Sequence, residues 1–81
     1  VRYGLVCNEA GGILDDILVY RWPAGFSAVV NASNREKILA HFHSLQPSEL
    51  GIADRTFDTA MVAVQGPRAV ELVAGIFSDD V

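Results

Sequence analysis

Asn8-Glu9-Ala10-Gly11-Gly12-Ile13-Leu14-Asp15-Asp16-Ile17-Leu18-Val19-Tyr20 is the stretch whose reading decides the fold. Gly11 and Gly12 mark a turn, since glycine reaches positive φ without a Cβ clash. The apolar, β-branched run that follows suits a strand, yet two carboxylates sit in its middle, where acids are normally depleted. Side chains alternate faces along a strand, so Asp15 and Asp16 cannot act together on one substrate or metal. One is expected to point to solvent, and the other, Asp16, to share a face with Leu14, Leu18 and Tyr20. A carboxylate on such a face is costly unless something polar meets it. That conflict makes Asp16 the candidate site.

Upstream, Arg2 to Asn8 has the pattern of a strand, with Tyr3, Leu5 and Cys7 on one face and Gly4 and Val6 on the other. Ile13 to Trp22 forms the second strand of a hairpin. A four-residue loop, Asn8 to Gly11 or Glu9 to Gly12, places Tyr3 on the Asp16 face, and a three- or five-residue loop places it opposite. Four is favoured because it keeps the glycine pair in or beside the bend. Downstream, Trp22-Pro23-Ala24-Gly25 is a turn, and Phe26 to Asn31 alternates as a third strand. An even loop puts Ser27, Val29 and Asn31 on the Asp16 face; an odd one puts Phe26, Ala28 and Val30 there. The even loop is favoured, since Asn31 beside Asp16 makes a polar cluster while Asn31 amid core is unsatisfied.

Ser33-Asn34-Arg35-Glu36 has the form of a capping box opening a helix, with Ile38, Leu39, Phe42 and Leu45 as its apolar stripe and Pro47 stopping it near Leu45. After a loop from Gln46 to Asp54, Phe57 to Gln65 is expected to be a fourth strand, apolar on both faces as a central strand is. Gly66-Pro67 turns the chain into a second helix with the stripe Ala69, Leu72, Val73 and Ile76. The order β-β-β-α-β-α predicts an α+β fold, a mainly antiparallel sheet with two helices packed on one face.

The chain has 81 residues, 51% hydrophobic and 20% charged, with net charge −4. This is globular composition near the lower size limit of an independent core. The high apolar share points to surface meant for another domain or subunit. The acidic balance, with pI near 4.8, argues against nucleic acid or an anionic membrane as partner, and no apolar run approaches the ~20 residues of a membrane span. Lone Cys7 has no disulfide or ligand partner and is expected to be a buried small hydrophobe. His41 and His43, two apart on a helix, diverge and cannot chelate a metal together; no metal is expected. Gln65-Gly66-Pro67-Arg68 holds too few glycines for a phosphate loop and is expected to be a structural turn. Asp15 is expected to be a solvent or structural acid.

Three motifs in order, Asn8-Glu9-Ala10-Gly11-Gly12-Ile13-Leu14-Asp15-Asp16, the Val29-Val30-Asn31-Ala32-Ser33-Asn34-Arg35-Glu36-Lys37 stretch and Val64-Gln65-Gly66-Pro67-Arg68-Ala69, resemble the aminomethyltransferase (T-protein) of the glycine cleavage system. Family members are several times longer, so residues 1–81 are expected to be a single partial domain, a fragment of the folate-binding region. The resemblance implies tetrahydrofolate as cofactor and the lipoylated H-protein as partner. The implied reaction moves a methylene unit from aminomethyl-dihydrolipoyl H-protein to tetrahydrofolate and releases ammonia. It assigns Asp16 as the catalytic, folate-binding acid, and Tyr3, Leu18, Tyr20, Val29 and Asn31 as folate contacts. It implies a cytoplasmic location in a bacterium, or the mitochondrial matrix in a eukaryote. The rivals are the folate domain of a dimethylglycine or sarcosine oxidising enzyme, a non-enzymatic folate-binding relative in iron–sulfur assembly, and an assembly module whose acids are merely solvated. The fragment alone is expected to be catalytically silent and to self-associate.

Overall fold

The computed structural model describes residues 1–77. Strands β1 (Arg2–Cys7), β2 (Ile13–Trp22) and β3 (Gly25–Val29) form an antiparallel sheet in the order β1-β2-β3. Helix α1 (Arg35–Leu45) follows through a 3₁₀ turn at Ala32–Asn34, and a short helix α2 (Ala69–Ala74) comes last. The α+β class with an antiparallel sheet and two helices is the architecture expected from the sequence.

The first hairpin reaches the expected facing by an unexpected route. Cys7 pairs with Ile13, so the loop has five residues, Asn8 to Gly12, and not four. Val6 nevertheless pairs with Asp15, because the register shifts there and Leu14 is left as a β-bulge. The extra residue restores the parity that the odd loop would have inverted. Tyr3 lies opposite Leu18 and Leu5 opposite Asp16, all on one face. The bulge also corrects the place of Leu14, which packs against the core rather than beside Asp16. Asn8 organises the loop, its Oδ1 accepting from Ala10 N at 3.1 Å and Gly12 N at 2.8 Å. A Cβ on Gly12 would meet Asn8 Nδ2 at 2.9 Å. Gly12→Ala is therefore expected to displace the Asn8 side chain and cost about 1–2 kcal/mol, read as a lowered urea midpoint.

The second hairpin is the expected even one. Trp22 pairs with Gly25 across Pro23-Ala24, Tyr20 with Ser27 and Leu18 with Val29; β3 ends two residues earlier than its sequence pattern. One face of the sheet carries Gly4, Val6, Asp15, Ile17 and Val19 and receives α1. Val6, Ile17 and Ile38 form the buried core, with Leu14, Val19, Val30 and Phe42 packed around it. The other face, bearing Tyr3, Leu5, Asp16, Leu18, Tyr20 and Val29, is open.

Four expectations require correction. The capping box does not form: the N-cap of α1 is Asn34, without a side-chain cap bond. The 3₁₀ turn, closed by Asn34 N donating to Asn31 O at 2.9 Å, places Ser33 inside a turn rather than at the cap. Cys7 is exposed, because it lies on an edge strand and on the face that α1 does not cover. No fourth strand forms at Phe57–Gln65. Thr56–Asp58 is a 3₁₀ turn and residues 59–65 are irregular, since an apolar run becomes a strand only where a neighbour completes its hydrogen bonds, and none does so among the described residues. Finally, α2 ends at Ala74, leaving Ile76 outside its stripe, and has no buried residue.

The consequence is a large apolar surface. Met61 is 73% and Val62 84% exposed, and the chain presents 7139 Å² to solvent, about half as much again as the ~4,700 Å² expected of a compact protein of this mass. With neither outer sheet edge paired among the described residues, the isolated chain is expected to self-associate. Sedimentation velocity should show a mass that rises with concentration, less so for Val62→Lys; a compact monomer at every concentration would refute this.

Candidate functional site on the open sheet face

Register alone brings the sequence-predicted residues together. Asp16, Leu18 and Tyr20 project from the central strand, Tyr3 lies across from Leu18 on β1, and Val29 lies across from Leu18 on β3. The pairing places these five on the open side, as even parity requires, and Asn31, two residues past the end of the pairing, joins them through its side chain, which reaches Asp16.

The surface they form is flat and largely apolar. Leu18, Tyr20 and Val29 are half-buried, while Tyr3 and Asp16 are exposed. Two residues not assigned from the sequence extend it. Leu5 lies opposite Asp16. Trp22 stacks on Tyr20 with ring centroids 5.9 Å apart and planes 9° from parallel, and its Nε1 donates to Ser27 Oγ at 2.7 Å. Both continue the alternation of strands already recognised, so the two-residue period could have found them.

At one end of this platform stands a cluster of two acids and two amides. Asn31 Nδ2 donates to Asp16 Oδ1 at 2.9 Å and to the Asp16 carbonyl at 3.1 Å. It also reaches Asp15 Oδ1 at 2.7 Å. Asp15 Oδ2 accepts from Asn31 N at 3.0 Å, and Asp15 Oδ1 from Asn34 Nδ2 at 2.8 Å. The costly carboxylate on the core face is thus Asp15, only 4% exposed, and not Asp16. The covering helix decides which face is the interior, so Asp15 is a structural acid and not a solvated one. Asn34, which donates a hydrogen bond to it, drew no role from the sequence because the capping-box pattern set Ser33 at the helix cap.

Hydrogen bonds from Asn31, opposed by burial and helped by Asn34, hold the Asp15 carboxyl below its ordinary value of 3.8. Bonds from the Thr56 side chain and backbone, then from Arg35, bring Asp54 down to about 2. Both acids favour the folded chain when ionised, so their contribution is complete above about pH 5 and is lost as pH falls through 3.8 toward 2. The denaturation midpoint should be level from neutrality to about pH 5 and then drop; a rise on acidification below about pH 4 would contradict the assignment.

His43 Nδ1 lies 2.8 Å from Gln46 Oε1, and no His, Cys, Asp and Glu cluster able to hold a metal occurs among the described residues. Gln65–Arg68 is a turn, with Ala69 N donating to Gly66 O at 3.1 Å and Arg68 paired to Glu71. No helix among the described residues is long and apolar enough to cross a membrane.

Comparison with known proteins agrees with the motifs. The family model described as the GCVT N-terminal domain matches residues 1–81. The chain is 44% identical over 79 residues to an aminomethyltransferase of Rubrobacter xylanophilus, covering 96% of this chain and 21% of that protein. It is 38% identical over 81 residues to one of Saccharopolyspora erythraea, covering 98% and 22%, and 39% identical over 77 residues to one of Thermus thermophilus, covering 93% and 22%. The chain thus spans about a fifth of the length of these relatives. No solved structure gave a significant match.

Proposed function

The chain belongs to the family of GCVT N-terminal domains, and from that premise we propose that it is a single partial domain supplying one wall of the tetrahydrofolate site of an aminomethyltransferase. The reaction proposed for the whole protein is transfer of a methylene unit from aminomethyl-dihydrolipoyl H-protein to tetrahydrofolate, with release of ammonia. The observation that carries this reading is an exposed carboxylate, Asp16, at the end of a flat apolar and aromatic face.

That face fits a reduced pterin. The pterin edge carries ring N–H and amino donors, for which a carboxylate is the natural acceptor, and its faces suit apolar and aromatic contact. Tetrahydrofolate, when bound, supplies the nitrogen that takes up the methylene unit. Tyr3, Leu18, Tyr20 and Val29 cover the ring and keep water from it. Asp16 is the catalytic residue: it orients the folate and offsets positive charge developing on the reacting nitrogen. Asn31 occupies Asp16 Oδ1, and Oδ2 accepts no hydrogen bond among the described residues, which leaves an oxygen for the ligand.

Titration of the labelled chain with millimolar tetrahydrofolate, followed by NMR, tests the assignment. Weak binding is expected, with shifts at Tyr3, Leu18, Tyr20 and Asn31. Shifts confined to the α1-covered face, or none at all, would count against this wall.

A further inference from the structure

We propose that Asp15 is a positioning residue for Asp16 and acts through Asn31. The sequence makes the two acids adjacent, and alternation sends their side chains to opposite faces, where they cannot touch one substrate. Asn31 lies just beyond the last paired residue of β3, where its side chain can reach around to both. Its backbone N–H, freed from the ladder, goes to Asp15 Oδ2 at 3.0 Å, and its Nδ2 is shared between Asp15 Oδ1 at 2.7 Å and Asp16 Oδ1 at 2.9 Å.

Partner chemistry fixes the orientation of this amide. Asp15 Oδ1, Asp16 Oδ1 and the Asp16 carbonyl are all acceptors, so only the NH₂ end can face them. Asp15 is itself restrained, being buried on the helix side and held by Asn34 Nδ2 at 2.8 Å. The order of restraint runs from the rigid interior outward: Asn34 and the 3₁₀ turn fix Asp15, Asp15 fixes Asn31, and Asn31 fixes the exposed Asp16 carboxylate. An exposed aspartate without such a tether samples its staggered χ1 wells, and a catalytic group needs one of them. The catalytic meaning of this restraint rests on the reading of Asp16 given above, but the restraint itself does not involve folate.

Side-chain NMR on the 81-residue chain separates the two questions. Three-bond couplings should report one Asp16 χ1 rotamer in the native chain. In Asp15→Asn, where an amide replaces the second carboxylate, they should move toward ~one third in each of the three wells. Asn31→Ala should give the same averaging, and the double variant no more than either alone. A merely structural Asp15 would leave the Asp16 couplings unchanged, and that result, or additive effects in the double variant, would overturn the proposal. If Asp15→Asn does not fold, Asn31→Ala at an exposed position decides: a single Asp16 rotamer there overturns it. Because no ligand is present, failure here is distinct from failure of the folate reading.

Discussion

On the aminomethyltransferase reading proposed above, Asp16→Asn made in the full-length protein is expected to lower turnover with aminomethylated H-protein by about 10²–10³-fold, or ~2.7–4 kcal/mol in the barrier. Asparagine keeps the shape of the side chain and can still meet Asn31, so the variant removes charge with little else. An exposed residue on an open sheet face contributes little to the core, and the melting temperature should hardly move. Asp15→Asn should behave in the reverse way. It disturbs a buried acceptor of three hydrogen bonds and so lowers stability, while turnover falls less because Asp16 retains its charge. Kinetics and melting curves on both variants decide this. Equal and small losses of turnover would remove Asp16 from the chemistry.

The second large effect lies in the core. Ile38→Ala is expected to leave the isolated chain mostly unfolded. Ile38 is 1% exposed and is the largest fully buried side chain among the described residues, meeting Val6 and Ile17 where α1 crosses the sheet. Truncating such a residue costs about 2–5 kcal/mol through lost transfer energy and the cavity left behind. A chain of this length has only ~4–12 kcal/mol in all, and a core of three buried apolar residues among those described belongs near the lower end. Leu45→Ala, at an exposed position of the same helix, is the control and should change the urea midpoint little. A loss below about 1 kcal/mol for Ile38→Ala would mean that α1 is held by something else.

Much of the sheet was legible because its evidence is local. Alternation identified β1 and β2, Pro23 and Gly25 marked the second bend, and the even connection there followed from the need to satisfy Asn31. The same reasoning put Tyr3, Asp16, Leu18, Tyr20, Val29 and Asn31 on one side. Which side the helix would cover was not legible, since each side of β2 sets one acid among mainly apolar residues, and the burden of the buried carboxylate therefore fell on Asp15. Residues 59–65 failed for the complementary reason: their composition states a preference for a strand, and a strand exists only with a neighbour. The role of Asn34 was missed because the capping-box pattern put Ser33 at the cap, whereas Asn34 holds that place and its side chain donates to Asp15.

The bulge at Leu14 has an evolutionary corollary: it is a slip joint for changes in chain length. Deleting one residue between Glu9 and Gly12 need not rotate the Asp16 side of β2. Ile13 can retreat into the connection and Leu14 can take its place opposite Cys7, so that the loop keeps five residues while Val6 and Asp15 stay partnered. The length change is absorbed by ironing out the bulge, at the expense of turning Leu14 away from Ile38 toward the side of Cys7. Homologous segments one residue shorter in this connection are therefore expected to present the acid equivalent to Asp16 on the same side, with a smaller or polar residue tolerated at the position of Leu14.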